Sequence, residues 1–162
     1  MEKGIKRKIK KIGDEFLDVH FYYEVMHLRE CYFIIKSGNL GNKIESTPNL
    51  LIVAFSTHAR NLIEFFNYKK KTKITAIKYV KTLTKEKVKN LFPKIDEYND
   101  ILCQNHSHLH YRTLDNKGIS PFEITFPTYI NLRKILIKFL KGLPKKYKSE
   151  NMNKLLEYLE QE

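Results

Sequence analysis

The sequence predicts an all-α fold, an antiparallel bundle of four to five helices. Three observations predict it. Apolar residues recur at three- and four-residue steps along four segments, which is the helical period. Capping and breaking residues stand at the ends of those segments. The stretches between them are short, which favours antiparallel neighbours. The composition, 42% hydrophobic and 30% charged over 162 residues, suits a single globular domain spanning 1–162, and no internal repeat divides it. A chain of this size buries roughly 70% of its unfolded surface.

Residues 1–13 form a basic segment, and Gly13-Asp14 opens the first helix, which is expected to run to about Lys36. Phe16, Val19, His20, Tyr23, Met26, His27, Glu30 and Phe33 mark its period. Gly38 offers a left-handed C-terminal residue. Thr47-Pro48 is a start signal, with Thr as N-cap and Pro in the first helical position. The helix that follows, from Asn49 to about Lys69, is apolar over most of its circumference, so it should be the central, buried one.

Residues 69–92 are lysine-dense and read as a connection followed by a short helix beginning near Thr84. Ile74–Val80 is compatible with a strand, although no partner strand is evident. Phe92-Pro93 starts a third main helix that runs to about Arg112, and Asp115–Gly118 is a turn. Pro121–Pro127 is expected to be extended between its two prolines, with Thr128 capping a fourth helix to about Gly142. Leu143-Pro144 breaks that helix. Within 143–162, Ser149 caps a short terminal helix over Asn151–Glu160.

No apolar stretch approaches the roughly 20 residues a transmembrane helix needs, and no signal-peptide core follows the basic start. The expectation is a cytoplasmic protein without membrane contact. Cys31 and Cys103 lack metal-ligand or redox spacing and read as small hydrophobes. The net charge of +12 invites a nucleic-acid partner. Of the 30 basic residues, however, only five are arginine, and lysine excess is also what an AT-rich coding sequence yields. Arg60 and Arg112 therefore stand out from the lysine background.

The run Asn105-His106-Ser107-His108-Leu109-His110-Tyr111-Arg112 is the densest cluster of chemistry in the chain. Ile101, Asn105, His108 and Arg112 share one helical face, and His106 and His110 share the next. Three readings fit. Cationic groups complement the negative end of the helix dipole. Histidine moves protons to and from RNA oxygens while arginine stabilises charge at phosphorus. Alternatively His106 and His110, four apart, hold a metal, although no carboxylate or cysteine completes that set.

On the second helix Thr57, Arg60, Asn61, Glu64 and Tyr68 form a polar stripe. Arg60 either pairs with Glu64 at i,i+4 or joins the 105–112 cluster together with Asn61. His58 reads as a hydrogen-bonded core residue. His20 and His27, with Glu24 and Glu30 nearby, read as packing residues more than metal ligands.

The pairing of Thr57-His58-Ala59-Arg60-Asn61-Leu62-Ile63-Glu64-Phe65-Phe66 with Asn105–Arg112 resembles the HEPN-like superfamily of small helical proteins, over roughly residues 14–142. The resemblance implies a four- to five-helix bundle that forms a homodimer. It implies a metal-independent ribonuclease site at the dimer cleft, without a cofactor, in toxin–antitoxin or phage-defence systems. The family's catalytic signature is arginine followed after four to six residues by histidine. Here Phe65 and Phe66 occupy those positions after Arg60, and in 105–112 the order is reversed.

The leading expectation is a HEPN-like protein that binds or cleaves RNA. In it His106, His108 and Arg112 are the catalytic candidates, and Arg60, Asn61, Asn105 and His110 bind substrate; no metal is assigned. An antitoxin or defence-complex partner accompanies this reading. The alternatives are a non-catalytic interaction module of such a complex, and a DNA-binding accessory protein using the lysine-rich segment 69–89.

Overall fold

The computed structural model describes residues 15–38, 47–67, 74–107 and 121–162, excluding the side chains of 47–49, 104–107 and 121–122. The described residues are helical throughout their regular structure, with no strand. A π-helical turn, Phe16–Phe21, continues into α1, Tyr22–Ser37. Then follow α2 (Thr47–Phe66), a 3₁₀ turn (Ala76–Lys78), α3 (Lys85–Leu91) and α4 (Ile95–Ser107). The chain closes with α5 (Pro121–Gly142), a second 3₁₀ turn (Lys145–Tyr147) and α6 (Glu150–Gln161). Among the described residues no helix is long and apolar enough to cross a membrane.

Local chemistry sets several of these boundaries. Gly38 ends α1 at φ +64°, and its amide bonds the Ile35 carbonyl at 3.2 Å. That left-handed conformation costs a residue with a Cβ more than it costs glycine. Thr84 and Ser149 cap α3 and α6 through their hydroxyl oxygens, which accept from the Lys87 and Met152 amides. Ser149 also donates to Asp18, joining the start of α6 to the π-helical turn.

Helix α2 is the central one, packing against α1, α4 and α5. Its apolar circumference supplies Phe55, Ala59, Leu62, Ile63 and Phe66 to the core, all fully buried. Each large side chain so removed from water contributes about 1.5–3 kcal/mol before entropy is counted. Phe21, Phe65 and Phe139 meet edge-on or tilted around one point, with centroids 5.2–5.4 Å apart, joining the π-helical turn, α2 and α5. Buried residues from all six helices form one cluster. Cys31 is buried within it, where desolvation pushes its thiol pKa up, and both cysteines are free.

The structure corrects two expectations. Residues 121–127 are not extended, because α5 begins at Pro121 and carries Pro127 inside it. A proline interior to a helix costs about 3 kcal/mol, through a lost hydrogen bond and a clash with the preceding turn. Burial of Ile124, Thr125, Thr128 and Tyr129 on that stretch outweighs the penalty. Thr128 is accordingly a buried mid-helix residue and not a cap. Nor is Ile74–Val80 a strand. It turns through the 3₁₀ element so that Ala76, Tyr79 and Val80 reach the core.

Glu162 receives hydrogen bonds from Arg29 and Tyr129. Arg133 Nε donates to the Leu159 carbonyl at 2.7 Å, and Tyr32 stacks on Tyr129 at 3.9 Å. This clamp joins α1, α5 and α6.

Candidate functional site

Helices α1 and α2 run antiparallel, so the first turn of α1 faces the second half of α2. Glu24 sits at that level, one position before buried Val25. Opposite it, His58 and Asn61 are three residues apart and share a face of α2. The carboxylate of Glu24 takes both. Its Oε2 lies 2.7 Å from His58 Nδ1, and its Oε1 accepts from Asn61 Nδ2 at 3.0 Å. A carboxylate only accepts, so the proton of the first contact belongs to His58 Nδ1. The remaining ring nitrogen, Nε2, is then the atom left for proton exchange.

A second histidine adjoins the first. His27 stacks on His58 with centroids 5.3 Å apart and planes 20° apart. Its Nδ1 lies 3.2 Å from Glu30 Oε2. Tyr23 packs across both rings, 4.1 Å from His27 and 5.7 Å from His58. The two side chains differ in access, since His27 is 40% exposed and His58 only 14%. Two imidazoles, each oriented by a carboxylate at Nδ1, form one network across the α1–α2 seam.

Arg60 lies two residues on from His58, about 200° around the axis, and so presents another side of α2. Its Nε is buried and has no hydrogen-bond partner among the described residues, so that donor is not given to Glu64. An unmet buried donor costs about 1–3 kcal/mol and marks a position where an acceptor would be stabilised. On α4, Asn99 Oδ1 is buried in the same unmet state. Asn67 Nδ2 donates to Asp96 at 3.0 Å, pinning the start of α4 to the end of α2. Because α4 packs on α2, it runs back along that helix from this point.

Of the residues singled out in the sequence, Asn61 and Arg60 are therefore located, and Asn61 is held by Glu24 on α1. Asn105 and His106 belong to the backbone of α4, but their side chains lie outside the described residues. His108, His110 and Arg112 lie wholly outside them. His58 is hydrogen-bonded and half-buried, as its place among apolar neighbours predicts. His20 and His27 make ring contacts with Phe16 and His58. Among the described residues no three His, Cys, Asp or Glu side chains converge as metal ligands do. Sequence reasoning missed the role of Glu24. Its only signal is the i,i+3 spacing of His58 and Asn61, which gains meaning once α1 is known to face them.

A cleft of about 280 Å³ opens beside this network, with Glu24 and Asn61 in its wall. Comparison with known proteins adds no relative: no protein-family model, curated protein or solved structure matches the chain.

Proposed function

We propose that the chain is a HEPN-like protein that binds RNA and cleaves it by metal-independent acid–base chemistry. The observation that carries this reading is the imidazole of His58, oriented at Nδ1 by the Glu24 carboxylate. In the reaction class such groups serve, a base takes the proton of a 2′-hydroxyl and the 2′-oxygen attacks the adjacent phosphorus. The P–O5′ bond breaks as an acid protonates the departing 5′-oxygen. The products are a 2′,3′-cyclic phosphate and a 5′-hydroxyl, and the atoms balance without a co-reactant.

In this reading His58 Nε2 is one proton-transfer atom, and His106 or His108 supplies the other. Arg60 and Arg112 bind the phosphate, while Asn61, Asn105 and His110 position the strand. The direction of α4 supports the assignment. Eleven residues separate Asp96 from Ser107, about 16 Å of helix at 1.5 Å per residue, enough to return to the His58–Arg60 turn. The net charge of +12 supports a polyanionic substrate. A homodimer and an antitoxin or defence partner belong to the same proposal and rest on the family resemblance.

The test is cleavage of a single-stranded RNA with EDTA present, beside the same oligonucleotide with 2′-deoxyribose throughout. Cyclic-phosphate products from the RNA alone, lost in His108→Ala and Arg112→Ala, are the expected result. Cleavage of both oligonucleotides, or dependence on added metal, contradicts the mechanism. The stacking of half-buried His58 on His27 favours a second reading, a non-catalytic interaction module in which the network is structural. No cleavage of any RNA, with His58→Ala markedly destabilised, selects that reading.

A further inference from the structure

Positive charge is not spread evenly over the described residues. Segments 78–89 and 138–148 hold ten lysines and a single carboxylate, Glu86. The remaining described residues hold seven lysines and arginines against thirteen carboxylates. Compositional drift toward lysine would raise the charge everywhere. Here a net acidic body carries two strongly basic segments.

The fold sets these segments side by side. Tyr79 meets Tyr147 edge-on with centroids 5.2 Å apart, and meets Phe139 in the same way at 6.4 Å. Val80 packs against Gly142, and α3 continues the contact along α5. All ten lysines are exposed. Two of them mark the edges of the face, where Lys89 pairs with Asp96 on α4 at 3.1 Å and Lys141 with Glu160 on α6 at 2.6 Å. The other eight form no ion pair among the described residues. Like charges gathered in this way repel one another, a cost that a bound polyanion removes. The helix dipole of α5 accounts for Lys141 in its last turn, but its influence does not extend to 145–148 or 78–85.

The residue type narrows the ligand. Neither segment contains arginine. Lysine is a compact point charge without the planar fork, so it neutralises phosphate and reads no base. An anionic lipid surface calls for apolar side chains that insert beside the lysines. In these segments Ile77, next to Lys78, is the one large hydrophobic neighbour that is exposed, at 38%. The face also adjoins the candidate site, because Tyr79 packs on Phe65 at 6.2 Å and Phe65 lines the cleft that holds Glu24 and Asn61. We infer that the lysine face formed by 78–89 and 138–148 binds the sugar–phosphate backbone of single-stranded RNA, without regard to sequence. The inference deepens the RNA reading above and rests on it for the identity of the strand.

The experiment is a salt titration of binding between the full chain and a single-stranded 2′-O-methyl oligoribonucleotide, whose blocked 2′-oxygen prevents cleavage during the measurement. One variant carries Lys78→Gln, Lys81→Gln and Lys85→Gln, and a second carries Lys145→Gln, Lys146→Gln and Lys148→Gln. A control carries Lys36→Gln, Lys94→Gln and Lys154→Gln, which removes the same charge from exposed positions elsewhere. For wild type, the logarithm of affinity should fall with the logarithm of salt concentration by about 0.7 per phosphate neutralised. Each face variant should flatten that slope by about 2 and weaken binding roughly tenfold, while the control stays within about twofold of wild type. An equal loss in the control, a loss confined to one face variant, or wild-type binding in both overturns the inference. So does binding of phosphatidylserine vesicles with no oligonucleotide bound. If one face variant does not fold, the other against the control decides. RNA cleaved by a protein whose binding ignores the face variants sinks this inference and leaves the RNA reading standing. Binding that depends on the face, with no RNA cleaved, keeps this inference and sinks the cleavage.

Discussion

Glu24 Oε2 lies 2.7 Å from His58 Nδ1, and through this contact the first turn of α1 is fixed to the second half of α2. The other oxygen of the same carboxylate holds Asn61. One acidic side chain thus orients a histidine and an amide on the central helix. It does so where the chain's aromatic core ends and an open cleft begins.

The contact is partly buried and involves a group that bears charge, so removing one partner leaves the other poorly solvated. Glu24→Ala should lower stability by about 1–3 kcal/mol. In a double-mutant cycle with His58→Ala, the coupling should be at least about 0.5 kcal/mol. Urea denaturation measures both. Additive effects would show that the contact does not join the helices energetically.

Pro127 leaves the Glu123 carbonyl without its usual helical donor. Pro127→Ala restores that hydrogen bond and should raise stability by about 1 kcal/mol or more. A lower midpoint in thermal melting would mean that the proline ring packs better than the missing bond costs.

At the end of α5, Gly142 leaves no room for a side chain. A Cβ there would lie 2.8 Å from Val80 Cγ1. Gly142→Ala should therefore destabilise by about 1–3 kcal/mol, and Val80→Ala should relieve that added cost. Unchanged stability in the single variant would show that Val80 yields freely.

Burial, followed by the hydrogen bond to Glu162, pushes the Tyr129 hydroxyl far above the ordinary tyrosine range. In the unfolded chain it ionises above about pH 10. The folded state keeps the proton that the unfolded state loses, so stability falls as pH rises beyond that value. Tyr129→Phe should flatten this alkaline limb in denaturation curves at pH 9–11. An equally steep limb in the variant would assign the effect to other groups.

Signals that act within a few residues of themselves were legible in the sequence. Gly38, Thr84 and Ser149 stand where helices stop and start, because a cap or a left-handed residue needs only its immediate neighbours. The apolar girth of α2 likewise announced a central helix. Pro127 misled, because the local penalty of a proline is visible in sequence while the burial that overrides it is tertiary. Residues 74–80 misled for the same reason, since a run of apolar residues says that a segment is buried and not how it turns. Glu24 was recognised only as a neighbour of His20 and His27. Its true partners are 34 and 37 residues away, and their identity depends on how two helices face each other. Asn61 donates to Glu24 on α1, and the 105–112 side chains with which the sequence groups it lie outside the described residues.

The central claim is that the oriented His58 exchanges protons with RNA, and the cleavage rate of a folded His58→Ala variant tests it most directly. Removal of a general acid or base costs about 10²–10⁴ in rate. The account predicts a loss in that range with EDTA present, for a variant whose denaturation curve shows it fully folded under the assay conditions. A folded His58→Ala protein that cleaves RNA at the wild-type rate would contradict it.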